Sequence, residues 1–115
     1  MTRTSTIQEK DPTTPAVLYI CARRRAWDSG IPEAKAREEG QAFAEKHRLR
    51  LVREVTDFFG ESVPRRRPGW REVVELATEG LAEVVIVRWP HAISPDHEYR
   101  YKAITELRES GGTVA

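Results

Sequence analysis

The sequence predicts a three-layer α/β domain built on a mostly parallel sheet, and three observations carry that expectation. Two short apolar runs, residues 16–22 (AVLYICA) and 84–87 (VVIV), have no helical period and read as strands covered on both faces. The segments between and after them place apolar residues at helical spacing. Strand and helix patterns then alternate with short connections, which implies right-handed crossovers and helices on both sides of the sheet.

The elements follow in order. After the first strand comes a loop, residues 23–31, closed by Pro32, with Glu33 where a helix N-terminus favours a carboxylate. That helix is expected to run to about Arg48, with Ala36, Gly40, Phe43 and His47 on one narrow face. Gly40 inside it weakens the helix by about 1 kcal/mol against alanine, so close packing is expected there. Residues 49–55 alternate only partly, as an edge strand would, and residues 57–67 read as a polar loop. The next helix opens near Pro68, carries Trp70, Val73, Val74 and Ala77 inward, and stops at Gly80. Beyond the 84–87 strand, Ser94, Pro95 and Asp96 read as N-cap, first-turn proline and first-turn acid. The helix they start buries Ala103, Ile104 and Leu107 and ends at Gly111, and residues 113–115 begin another strand.

With 115 residues the chain fits one compact domain. Residues 1–15, rich in threonine and charge, are expected to form a flexible tail ahead of a domain spanning 16–115. No apolar stretch in that tail resembles a signal peptide or a membrane anchor, so a cytoplasmic protein without a membrane partner is expected. A formal net charge of +1 means that any binding of nucleic acid would rest on local patches. Cys21 is the single cysteine, which excludes an intramolecular disulfide and a cysteine-based metal site. It reads as a small buried hydrophobe at a strand end. His91 and His97, six apart beside Asp96, read as surface residues, and no metal or other cofactor is expected.

In parallel sheets with crossover helices, ligands bind beyond the carboxyl ends of the strands. The loops at that edge begin at Arg23, at Thr56 and at Arg88. None carries a glycine-rich phosphate motif, so a nucleotide cradle is not expected. The edge does carry two arginine clusters, Arg23, Arg24 and Arg25 on one loop and Arg65, Arg66 and Arg67 on the next. They admit two readings, a phosphate or nucleic-acid backbone site, or a solvated rim offset by acids such as Glu33 and Glu61. Trp27 either stacks on a base or covers the edge of the core.

From about Val17 onward the chain resembles the catalytic domain of the serine recombinases, the resolvase and invertase family. The resemblance rests on the order of strands, loops and helices, on Asp57 and Ser62 in the second loop, on Arg67-Pro68-Gly69 opening the next helix, and on the apolar run before the third loop. It implies that family's α/β fold, here without the long C-terminal helix. Its first strand ends in Tyr-x-Arg-x-Ser, and two registers fit. With Arg23 on the family's arginine, Cys21 takes the tyrosine place and Arg25 the serine place; with Tyr19 on the tyrosine, Cys21 takes the arginine place and Arg23 the serine place. At the third loop His91-Ala92-Ile93-Ser94-Pro95 lies on Asp-Arg-x-x-Arg, so that both arginines are replaced.

In the family, a serine hydroxyl attacks a DNA phosphodiester while guanidiniums offset charge on the phosphate oxygens. An arginine has no hydroxyl and stays protonated, so it cannot take the serine's part. The resemblance therefore implies a degenerate relative with Arg23, Asp57 and Arg67 as remnants of the site. Such a relative is expected not to cleave DNA by the family mechanism. It would at most bind DNA backbone non-specifically, or pair with itself or with an intact recombinase. The alternatives are a phosphodiester-cleaving enzyme that uses Ser29 or Ser62 as a displaced nucleophile, and an interaction domain with no nucleic-acid ligand.

Overall fold

The computed structural model describes residues 14–22, 31–58 and 60–115. Among them four strands and four helices follow in chain order, alternating except for two successive helices before the last strand: β1 (Thr14–Ala22), α1 (Ile31–Lys46), β2 (Leu49–Phe58), α2 (Pro68–Thr78), β3 (Val84–Val87), α3 (Pro90–Ile93), α4 (His97–Glu109) and β4 (Thr113–Val114). A single 3-10 turn, Pro64–Arg66, precedes α2. The strands form one sheet in the order β2-β1-β3-β4, and every pairing is parallel. The α/β architecture with a parallel sheet is thus the one that the alternating pattern implied.

Each face of β1 builds its own core. Val17 and Tyr19 point into a cluster with Val55, Trp70, Val73, Val85, Ile93 and Leu107, so α2 and α4 cover that face. Leu18, Ile20 and Ala22 point the other way, toward Ala44 and Ile86, under α1. A strand covered on both sides must be apolar throughout, which is why the run 16–22 shows no alternation. α1 approaches β1 closely at Gly40, where a Cβ would come within 2.5 Å of the Leu18 side chain. His47, expected on the buried face of α1, is exposed and lies against the Phe43 ring.

β2 explains its own imperfect alternation. It pairs Ala16 with Leu51 and then Val17 with Arg53, so Val52 is a bulge. Because side chains alternate with period two, one extra residue turns the rest of the strand over. Leu49 and Leu51 therefore face α1, whereas Val55 packs with Tyr19 on the α2 side. Asp57, two residues beyond Val55 and paired with Cys21, shares that second face. The bulge is what brings this carboxylate to Tyr19.

Three boundaries differ from the sequence expectation. β1 begins at Thr14, so Thr14 and Pro15, expected in the tail, pair with Leu49 and Arg50 of β2. β2 runs on to Phe58, so Asp57 belongs to the strand end rather than to a loop. At α4 the N-cap is Asp96, whose carboxylate accepts from the Tyr99 amide at 3.0 Å, and Pro95 precedes the helix. The Ser94 hydroxyl turns instead to join two loops, as described below.

Candidate functional site

The carboxyl edge of the sheet holds a buried polar network of three side chains, each from a different element. Tyr19 comes from β1, Asp57 from the end of β2, and Arg67 from the residue that precedes α2. Their residue exposures are 1%, 6% and 2%, so a polar atom there that lacks a partner inside the protein is costly.

Asp57 finds its partners by closing the N-terminus of α2. Its Oδ1 accepts from the Gly69 amide at 2.8 Å, and its Oδ2 accepts from the Trp70 amide at 2.8 Å and from the Tyr19 hydroxyl at 2.7 Å. The first turn of a helix leaves its amides without intrahelical partners, and the helix dipole favours a negative charge there. Arg67, the N-cap by position, makes no side-chain cap of its own. A residue of the neighbouring strand supplies the cap in its place. This also accounts for Pro68-Gly69: proline at N1 forgoes an amide that the helix does not need, and a Cβ at Gly69 would lie 2.6 Å from both carboxylate oxygens.

Arg67 sits behind Tyr19. Its Nε donates to the Glu61 carbonyl at 2.7 Å, and its Nη1 donates to the Ala92 carbonyl at 2.6 Å and to the Tyr19 hydroxyl at 3.1 Å. Nη2 is fully buried and makes no hydrogen bond among the described residues. The Tyr19 hydroxyl thus accepts from the cation and donates to the anion, and its ring meets Trp70 edge-on at 5.1 Å. Ser94 completes the joint, donating from its hydroxyl to the Ser62 carbonyl at 2.7 Å. The loops after β2 and β3 are therefore tied together by Arg67 and by Ser94.

The expected site residues separate accordingly. Arg23, Arg24, Arg25, Trp27 and Ser29 lie outside the described residues. Arg65 and Arg66 are exposed on the turn, whereas Arg67, their neighbour in sequence, is buried and held by the backbone. Ser62 is exposed, as are His91 and His97. Among the described residues no group of three histidine, cysteine or carboxylate side chains could hold a metal ion. No described helix is long and apolar enough to cross a membrane. Sequence reasoning missed Ala92 and Ser94 as members of the joint, since one acts through a carbonyl and the other looked like a cap.

Burial drives the Tyr19 hydroxyl well above its ordinary range, the hydrogen bond to Asp57 adds to this, and Arg67 opposes it. Cys21, half-buried on the same face, is also pushed up, chiefly by burial. A phenol whose pKa is higher in the folded state holds its proton there after the unfolded chain has lost it. Its stabilisation is complete below the unfolded value and is lost as pH rises beyond it. With Cys21→Ala as background to remove the thiol, the urea midpoint is expected to fall between about pH 9 and about pH 11, starting near the ordinary tyrosine value. Tyr19→Phe in that background is expected to be less stable at about pH 8 and to fall less over the same interval. Equal slopes for the two would show that the phenol is not buried with its proton.

A parallel αβα domain with a buried Tyr–Asp–Arg network at its carboxyl edge is the class that these features define. No protein-family model matches the chain, and no curated protein matches it in sequence. Solved structures match it in fold. The C-terminal catalytic domain of ISC1926 TnpA, an IS607-like serine recombinase, superposes with a TM-score of 0.68 at 16% identity, covering 88% of this chain and 68% of that one. The N-terminal catalytic domain of TP901-1 integrase superposes with a TM-score of 0.67 at 15% identity, covering 88% of this chain and 75% of that one. The chain has the fold of serine recombinase catalytic domains.

Proposed function

We propose that this chain is a serine-recombinase-like domain that does not cleave DNA by the serine mechanism and that binds the DNA backbone through arginines at its carboxyl edge. The observation that carries the reading is the position of Tyr19, held between Asp57 and Arg67. It favours the register in which Tyr19 takes the tyrosine place of Tyr-x-Arg-x-Ser. Cys21 then stands at the arginine place and Arg23 at the serine place, so neither the nucleophile nor its nearest guanidinium is present. Arg67 is engaged by two carbonyls and a hydroxyl, which makes it a structural member of the edge. The groups left for phosphate are Arg65 and Arg66 on their exposed turn, joined by Arg23, Arg24 and Arg25, which follow β1 directly in sequence.

Backbone binding of this kind weakens steeply with salt, because each neutralised phosphate releases counterions. Labelled duplex DNA, followed by anisotropy at low and at moderate salt, is expected to show binding that falls at the higher salt. Replacing Arg65 and Arg66, or Arg23, Arg24 and Arg25, by alanine is expected to weaken binding and flatten the salt slope. On a denaturing gel the protein is expected to leave no covalent adduct with DNA. An adduct lost in Ser29→Ala or in Ser62→Ala would overturn the reading in favour of a displaced nucleophile. Absence of binding at low salt would leave an interaction domain without a nucleic-acid ligand.

A further inference from the structure

Trp89 is 60% exposed, although a tryptophan is the side chain with most to gain from burial. Its backbone is extended at the N-cap of α3, and Pro90 follows at the first helical position. The guanidinium of Arg88 lies 5.9 Å from the centre of its ring, and Arg88 is itself fixed by Glu39, whose carboxylate accepts from Nε at 3.0 Å. An anchored cation on an exposed ring makes a rigid aromatic platform at low entropic cost.

Its place in the fold points to what would cover it. Trp89 lies two residues beyond Val87, the last residue of β3, which pairs with Tyr19 and packs on the Tyr19 side of the sheet. Three residues later comes Ala92, whose carbonyl accepts from Arg67, the residue that follows the exposed Arg65 and Arg66, so Trp89 belongs to the same carboxyl edge of the sheet. Aromatic rings beside arginines that track a phosphate backbone are the elements of single-strand binding, where each base offers a flat face for stacking. A base pair within a duplex hides both of its faces.

We infer that Trp89, backed by Arg88, is a stacking platform for an unpaired base of DNA, so that the domain prefers single-stranded to duplex DNA. This rests on the reading of the edge as a DNA-backbone site and adds to it the form of the DNA.

The test uses the whole chain and a fluorescein-labelled mixed-sequence 20-mer, single-stranded or annealed to its complement, at low salt. The single strand is expected to bind several-fold more tightly. Trp89→Ala is expected to weaken single-strand binding roughly tenfold or more, as loss of one stacked base does, and to leave duplex binding unchanged. Trp89→Phe should restore much of the loss, because it restores an aromatic face. Being exposed, the side chain can be changed without loss of the fold, which the thermal midpoint verifies. Equal affinity for both forms, or a single-strand affinity untouched by Trp89→Ala, overturns the inference while the backbone site stands on its duplex binding. Binding of neither form overturns both. A change in sedimentation of the protein alone on Trp89→Ala, with single-strand affinity intact, would assign the ring to self-association and overturn the inference as well.

Discussion

Asp57→Ala is expected to destabilise the domain by about 3–5 kcal/mol, because it leaves several buried donors unsatisfied at once. The carboxylate accepts three hydrogen bonds, from the Gly69 and Trp70 amides and from the Tyr19 hydroxyl. Removing it strands all three donors, and it leaves the Arg67 guanidinium buried with no anion in its network. Either consequence alone is costly, since an unsatisfied buried donor costs about 1–3 kcal/mol. Domains of this size have roughly 5–15 kcal/mol in total, so the variant should lie near the edge of folding at physiological temperature. Asp57→Asn separates the parts. It keeps the shape and one acceptor oxygen, but its amide nitrogen must face either the Gly69 donor or the Trp70 donor. Its loss is expected to fall between wild type and alanine. Urea denaturation followed by tryptophan fluorescence measures all three proteins. An alanine variant within about 1 kcal/mol of wild type would contradict the buried cap, because that is the size expected of one ordinary hydrogen bond.

The same network shows what the sequence could and could not disclose. Alternation of strand and helix patterns is local, and it disclosed the parallel sheet and the faces of α2 and α4. Arg67-Pro68-Gly69 was visible as a motif, yet its reason was not, since the carboxylate that requires Gly69 lies twelve residues earlier, at the end of another element. The edge position expected for β2 is the one it holds, but the bulge at Val52 left only a trace, the alternation that falters after Leu51, which an edge strand without a bulge would also show. Without that one residue Asp57 would face α1, and Tyr19 would have no acceptor. The arginine cluster 65–67 was legible as charge but not as two environments. A single peptide bond separates an exposed guanidinium from a buried one, and partners distant in sequence, the Ala92 carbonyl of α3 and the Tyr19 hydroxyl, decide which is which. Tyr19 carried the best overlooked signal. A phenol in the middle of an apolar strand has to find a hydrogen-bond partner, and that need alone pointed to a polar group across the sheet.

Gly69→Ala is expected to cost about 2–4 kcal/mol, from overpacking together with weakened caps. A Cβ there would stand 2.6 Å from both Asp57 oxygens and 2.7 Å from its carboxyl carbon. The carboxylate cannot swing aside as the free end of a long side chain would, for it is pinned by two amides and a phenol. Relief must come from moving α2 away from the end of β2, which lengthens the very bonds that cap the helix and disturbs Trp70, packed in the core at 1% exposure. Intrinsic helix preference works the other way, since alanine is favoured over glycine by about 1 kcal/mol in a helix interior. The two effects can be separated by placing the substitution on Asp57→Ala, where the clash is absent. There Gly69→Ala is expected to be neutral or to stabilise by up to about 1 kcal/mol, so the two substitutions should be strongly non-additive. If alanine at position 69 costs the same in both backgrounds, the glycine answers to something other than Asp57. A coupling of the expected sign would instead tie Asp57 and the Arg67-Pro68-Gly69 motif into one structural unit, the hinge on which the carboxyl edge is built.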